Sequence, residues 1–243
     1  MRLSEMTWQE AEAHFFGQPA VILPTGSIEQ HGPMGLIGTD AICAEQIAWR
    51  AADQAKAVVA PTVSYAPAPF NMGFPGTMSL SADLWQAMML ELFNGLHHQG
   101  ISKVYVINGH GANLAPLRAA AADCGADIRI RSWWDFEPVN VLRRKWYGDW
   151  EGMHATPSEI SITQATHRAI APGDAAEPPE FLTPEFVKAH AGDKHGPADE
   201  HRRDFPDGRV GSHSALAQVD HGHALLNAAA TSVALDFRDF VAS

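Results

Sequence analysis

Cysteine is scarce, with only Cys43 and Cys124 in 243 residues. Both lie in apolar helical patterns and no CxxC occurs. They read as two buried free thiols, not as a disulfide or a thiolate metal site. No run of roughly 18 apolar residues exists, so no membrane span is expected. The opening stretch, MRLSEMTWQEAEAHFF, carries acidic residues and no apolar h-region, so it does not read as a signal peptide. Positive charge is also short, with 17 Lys and Arg against 28 Asp and Glu and a net charge of −11. That balance argues against nucleic acid and anionic membrane as partners. Together these absences point to a cytoplasmic protein.

What is present is an ordinary globular composition, 46% hydrophobic and 19% charged. The length fits one α/β domain over residues 1–243. Such a chain buries enough core to fold without a disulfide or structural metal. Thirteen histidines raise the expectation of metal or proton-transfer chemistry.

Hydrophobic periodicity predicts a helix over 4–16, a strand over 20–24, and a helix over 41–54 with Asp40 as a candidate N-cap. A strand over 57–61 follows, then a Pro- and Gly-rich loop, SYAPAPFNMGFPGTMSLS, of a length that is usually functional. A helix over 82–98, a strand over 103–107, a helix over 113–123 and a strand over 128–132 complete the alternation. Beyond residue 135 the pattern weakens. A helix is expected over 158–167, a short one near 184–190, and a long one over 215–241. Strand alternating with helix implies a mostly parallel sheet covered on both faces, a three-layer α/β/α sandwich. Sites in such sheets form beyond the carboxyl ends of the strands.

Three candidates fall there. In PTGSIEQHGPMGLIGTD, Glu29 and His31 stand two residues apart just past the first strand. In extended backbone that spacing puts both side chains on one face. Asp40 opens the next helix, and His110 follows the third strand in Asn108-Gly109-His110-Gly111. Each has a bland alternative. Glu-x-His is common by chance, Asn-Gly-His-Gly can be a tight turn, Glu159 can be a solvated helix charge and His154 a surface residue. His190, His195, His201, His213, His221 and His223 read as mostly surface. Trp133 and Trp134 at a strand end read as core, although that position also suits a pocket. Meeting at one sheet edge, the carboxylates and imidazoles make a plausible divalent-metal half-site.

In order along the chain, PTGSIEQHGP…TD, GFPGT, VINGHGAN and HATPSEIS closely resemble the signatures of the creatininase (creatinine amidohydrolase) family, over about residues 15–240. The resemblance implies a three-layer fold, a two-metal site, hydrolysis of C–N bonds and a homohexamer built as a trimer of dimers. It implies Glu29 and His110 as ligands of a first metal, His31 of a second, and Asp40 as the bridge. Creatinine amidohydrolase itself has a further carboxylate two residues after the turn histidine; here that position is Ala112. The H-x-x-x-x-E element, His154 to Glu159, offers Glu159 in its place. Met34-Gly35-Leu36 and Phe70-Asn71 also depart from the family pattern, which bears on the substrate more than on the metals.

The chemistry agrees with that resemblance. Divalent ions lower the pKa of water from 15.7 to roughly 7 and polarise a carbonyl. A Glu/His/Asp donor set suits two ions of zinc or manganese, with iron also compatible. His154 is the candidate proton shuttle, from the ordinary imidazole pKa of about 6.5. Gln30 and Asn108 are candidates to orient the ligands. Backbone N–H groups after Gly111 are candidates to hold a carbonyl or anion. The expected substrate is a small polar amide, with a cyclic amide among the candidates. The alternatives are a cyclic keto-sugar, keto-inositol or lactone cleaved by the same site, and a non-catalytic metabolite-binding member of the family.

Overall fold

The computed structural model describes residues 1–192 and 194–243. The expected N-terminal helix is divided. A single 3₁₀ turn, Leu3–Glu5, precedes α1 (Trp8–Gly17). The break comes at Thr7, whose hydroxyl accepts the Glu10 N–H while the Glu10 carboxylate accepts the Thr7 N–H, a capping box. β1 (Ala20–Thr25) is buried at every position. α2 (Thr39–Ala55) begins two residues before its expected start, with Gly38 as N-cap. Asp40 is therefore not the cap; it lies in the first turn, and His31 and His110 engage its side chain.

β2 is only Val58–Val59. α3 (Ala82–His98) has the expected bounds, and Ser81 caps it by accepting the Leu84 N–H. β3 (Lys103–Asn108), a 3₁₀ turn at Gly111–Asn113, α4 (Leu114–Asp123) and β4 (Asp127–Ser132) follow. The sheet order is β2-β1-β3-β4, and every pairing is parallel.

Period-two alternation builds the three layers. Ala20, Ile22, Tyr105 and Ile107 face one core, and Val21, Leu23, Val104 and Val106 face the other. Trp85, Met89 and Phe93 of α3 and Leu117 and Ala120 of α4 cover the second face. The first is covered by Ile47, Ala48 and Ala51 of α2 and by Leu225, Leu226, Ala229, Val233 and Phe237 of α9 (Val219–Ala242).

Between β4 and α9 lie α5 (Glu137–Trp146), α6 (Pro157–Thr166), α7 (Pro184–Ala189) and α8 (Ala198–Asp204). α5 turns Val139, Leu142 and Trp146 to the core from an otherwise polar helix, whereas α8 gives no apolar period because it buries a single side chain, His201. His201 thereby corrects the surface reading, as its ring packs on Phe70 at 5.3 Å. Among the described residues no helix is long and apolar enough to cross a membrane.

α9 is tied to the sheet through Asp236. Its carboxylate accepts from Tyr105 Oη (2.8 Å), Arg129 Nη1 (3.0 Å) and Arg131 Nε (2.9 Å). Burial alone would raise its pKa, but Arg131, Tyr105 and Arg129 hold it below the ordinary carboxylate value. A lowered folded pKa contributes stability that is present above the unfolded value of about 3.9 and lost as pH falls through the folded one. Asp236→Asn is expected to cost roughly 2 kcal/mol at pH 7. Urea unfolding of both proteins should show that gap narrowing below about pH 4; a pH-independent gap would contradict the assignment.

Candidate active site

The register of β1 and β3 sets the site. Thr25 pairs with Asn108, so both chains leave the sheet at the same level, through Gly26 and Gly109. The first turn of α2 sits against both exits. A Cβ on Gly26 would lie 2.3 Å from Ala41 N, and one on Gly109 would lie 2.3 Å from Asp40 O. Glycine is required at both because no side-chain carbon fits. Asp40 is thus held between the Glu29–His31 loop and the His110 turn. Gly109→Ala is expected to cost about 1–3 kcal/mol and to displace Asp40 from His110. Thermal unfolding and metal content measure the two effects, and wild-type values for both would contradict this packing.

Six predicted residues converge. Asp40 Oδ1 lies 2.9 Å from His31 Nε2, and Asp40 Oδ2 lies 3.1 Å from His110 Nδ1. His110 Nδ1 is also 3.3 Å from Glu29 Oε1, His31 Nε2 is 3.9 Å from Glu159 Oε1, and His154 Nδ1 is 3.6 Å from Glu29 Oε1. Their donor atoms form three groups suited to a cation: Glu29, Asp40 and His110; His31, Asp40 and Glu159; Glu29, His31 and His154. All six residues are buried.

Each imidazole is oriented from behind by a backbone carbonyl, which can only accept. His31 donates Nδ1–H to Glu29 O (3.1 Å), His110 donates Nε2–H to Pro67 O (2.7 Å), and His154 donates Nε2–H to Gln30 O (2.7 Å). The opposite nitrogen of each ring turns toward the carboxylates. Outward N–H bonds of this kind fix tautomer and ring angle at metal sites. Pro67, at the start of the long loop, carried no side-chain signal in the sequence. Asn108 accepts the His110 N–H (3.2 Å) and donates to His110 O (2.7 Å). Gln30 donates to Asn71 Oδ1 (2.7 Å) and Gly208 O (3.0 Å), linking the loop to the C-terminal region. Asn71 was noted in the sequence only as a departure from the family pattern.

Glu159 reaches the site from the first turn of α6. Its carboxylate also accepts the Thr156 N–H, while Thr156 Oγ1 accepts the Glu159 N–H (3.3 Å). It is therefore a capping-box residue as well as a site carboxylate. His154 is placed by a bridge to Val210, with Met153 N–H donating to Val210 O and Val210 N–H to His154 O. Ala155, which follows it, holds φ at +57°, a costly conformation for a residue with a Cβ.

Burial and mutual charge set the protonation. Burial opposes a charge on His31, but Asp40, Glu159 and Glu29 outweigh it and raise its pKa to about 10. His110 is likewise raised against burial by Glu29 and Asp40. Burial and the neighbouring His31 push His154 down to about 3, far from the ordinary imidazole value assumed for a shuttle. Burial lifts Glu159 to about 7, with His31 opposing and Asp40 reinforcing.

The walls of the cleft, about 170 Å³, include Trp133, Trp134, Met153, Gly109 and Gly111. Both tryptophans line it, although Trp133 is also core. The turn after Gly111 spends the Asn113 and Leu114 N–H groups on His110 O and Gly111 O. These two are not free for a ligand, which narrows the expected anion-holding role of that helix start. Phe70 is buried, 6.5 Å from the His110 ring and 4.9 Å from His195.

A parallel three-layer sandwich with clustered carboxylates and imidazoles beyond β1 and β3 defines a class of α/β proteins with a divalent-metal type of site. Residues 4–235 match the Creatininase family, described as creatinine amidohydrolase, and the chain belongs to it. The family is one of metal-dependent amidohydrolases. The chain is 34% identical over 121 residues to a mycofactocin precursor peptide peptidase of Mycolicibacterium smegmatis, covering 47% of this chain and 49% of that protein. It thus spans about half the length of that relative. It is 25% identical over 186 residues to a creatinine amidohydrolase of Pseudomonas putida, covering 68% and 71%. A solved creatinine amidohydrolase (creatininase) has the same fold, with a TM-score of 0.80, 21% identity, and coverage of 98% and 97%.

Proposed function

We propose that the chain hydrolyses the C–N bond of a small polar amide, using two divalent ions held by Glu29, Asp40 and His110 on one side and by His31, Asp40 and Glu159 on the other. The observation that carries this reading is an unmet need in the protein itself. Among the described residues, both oxygens of Glu29 and Asp40 Oδ2 are buried without a well-formed hydrogen bond. Only the His110 and His154 imidazoles approach Glu29 Oε1 and Asp40 Oδ2, at 3.1–3.6 Å, an arrangement that is costly unless a cation satisfies these oxygens. The imidazole nitrogens facing them, oriented from behind, complete a mixed N/O donor set that suits zinc or manganese. The ions would supply Lewis acidity, acidifying water and polarising the carbonyl.

The chain's own residues do the rest. Asp40 presents one oxygen to each half of the site and offsets the repulsion between two cations. His154 is neutral at pH 7; with its Nε2–H spent on Gln30 O it turns a bare Nδ1 toward the Glu29 side of the site, and a pKa of about 3 makes it a positioned acceptor there and not the proton shuttle expected from the sequence. Trp133 and Trp134 give the cleft apolar walls that limit water. A peptide peptidase and a creatinine amidohydrolase, the activities in two relatives' names, both cleave C–N bonds, which supports an amide; a third relative, a 3-dehydro-scyllo-inosose hydrolase of Thermotoga maritima, 29% identical over 92 residues, supports the ketone alternative. Trp8 and Phe16, exposed beside a groove lined by Leu3, Phe15, Leu96 and Ile101, offer an apolar surface to the self-association that the resemblance implies.

Chelation is expected to abolish turnover on a panel of linear and cyclic amides, and added zinc or manganese to restore it. A metal-stripped enzyme of full activity would overturn this reading. Faster turnover of keto-inositols or lactones than of every amide would keep the metals and replace the bond.

A further inference from the structure

The cleft contains one feature that metal binding does not use. Arg143, from α5, is the single guanidinium or ammonium group among its described lining residues. Its neighbours Arg144 and Lys145 show what an ordinary cation on this polar helix does; Arg144 is 60% exposed and pairs with Glu137 at the surface. Arg143 is 21% exposed and held from two sides. Its Nε donates to Glu151 Oε1 (2.9 Å), and its Nη1 donates to Asn140 Oδ1 (2.8 Å). Both partners are themselves fixed. Glu151 Oε1 also accepts the Ser158 hydroxyl, and Asn140 donates to Trp134 O (2.8 Å). The guanidinium carbon lies 5.8 Å from the centre of the Trp133 ring.

The simplest alternative is that Arg143 exists to neutralise the buried Glu151. That role uses Nε, and Asn140 takes Nη1, which leaves Nη2 unexplained. Among the described residues, Nη2 has no hydrogen-bond partner, although Arg143 borders the cleft. The indole N–H of Trp133, another lining residue, is likewise unpartnered. A guanidinium fixed in advance through Nε and Nη1, with Nη2 still unspent beside the cleft, can donate to a carboxylate oxygen. In the metal-free protein the protonated rings of His31 and His110 offset two of the three carboxylates at the cleft floor. Two dications in place of those protons would leave four positive charges against three negative, which favours an anionic group in the cleft.

We infer that Arg143 receives a carboxylate of the substrate, so that the substrate is an amide bearing a free carboxyl group, oriented with its C–N bond toward the Asp40 side of the cleft. This inference rests on the proposed hydrolase reading, and it narrows the substrate to acids such as N-acyl amino acids, short peptides with a free C-terminus, or carboxylated lactams. Arg143 acts in binding and orientation; no proton passes through it.

The test uses matched pairs in which a free acid is compared with its own primary amide: 5-oxoproline, N-acetyl amino acids and dipeptides. Metal-loaded protein is titrated with each by calorimetry, and kcat and KM are measured wherever hydrolysis occurs. The acid of at least one pair is expected to bind tighter than its amide by on the order of 10- to 100-fold. In Arg143→Met that ratio should fall toward 1 through KM. In Arg143→Lys, which keeps the charge but loses the fork, it should be intermediate. Metal content and thermal unfolding of both variants separate a lost contact from a lost fold. If no acid binds better than its amide, or if the preference survives in a folded Arg143→Met protein, the inference is overturned. If acids bind preferentially but none is hydrolysed with metal present, the hydrolase reading fails and the carboxylate site stands.

Discussion

Asp40→Asn is expected to remove both metals at once and to lower turnover by on the order of 10³-fold or more, about 4 kcal/mol of transition-state stabilisation. The size of the effect follows from position. Asp40 is the one carboxylate whose two oxygens face different halves of the site, Oδ1 toward His31 and Oδ2 toward His110. An amide offers one neutral oxygen and one N–H donor, so it cannot serve two cations. Elemental analysis should find a fall from two equivalents to less than one. Retention of both metals would show that Asp40 does not bridge them.

The same residue governs the metal-free protein. Against burial, Asp40 and its neighbours raise His31 to about 10. A raised folded pKa contributes stability that is fully present below the unfolded value of about 6.5 and lost as pH rises through the folded one. Metal-free wild type should therefore lose thermal stability between about pH 6.5 and 10, and Asp40→Asn should show a flatter profile over that range. Equal slopes in the two proteins would remove Asp40 as the cause.

Glu159→Gln is expected to empty one metal position, keep the other, and reduce turnover by roughly 10²- to 10³-fold. This substitution separates the two roles of Glu159. Glutamine serves in a capping box as well as glutamate does, so the N–H of Thr156 keeps its acceptor and α6 keeps its start. What is lost is the negative charge near His31 Nε2. The unfolding midpoint of the metal-free protein should change little while metal stoichiometry falls from two to one. Unchanged occupancy would reduce Glu159 to a helix cap, and a collapse in stability without loss of metal would do the same.

The layered sheet was legible because alternation in AVILP and VYVIN places side chains on two faces, and both faces proved buried. α3 was read to its end residues, since Ser81 starts it, Gly100 follows it, and an apolar stripe runs between. α8 was missed for the converse reason, since it buries one side chain and shows no period; α5 was missed although Val139, Leu142 and Trp146 share a face, because that stripe is only three residues in a polar, cationic stretch. The candidate site was legible where local spacing and resemblance carried it, at Glu29, His31, Asp40, His110, His154 and Glu159. Contacts made by backbone carbonyls, such as Pro67 O behind His110, leave no trace in residue type. Arg143 was hidden within a run of cations, because nothing local distinguishes the one that turns toward Glu151. The depressed pKa of His154 arises from burial beside His31, a neighbour 123 positions away in the chain. Asp40 was read as a cap because aspartate at a helix start usually is one; here the two imidazoles claim it first.

The most direct measurement is anomalous diffraction from crystals grown with zinc or manganese, recorded on both sides of the metal absorption edge. The account predicts two peaks, one among Glu29, Asp40 and His110 and the other among His31, Asp40 and Glu159, with the Asp40 carboxylate between them. A pocket without either peak, and with the rings of His31 and His110 turned from the carboxylates, would contradict it.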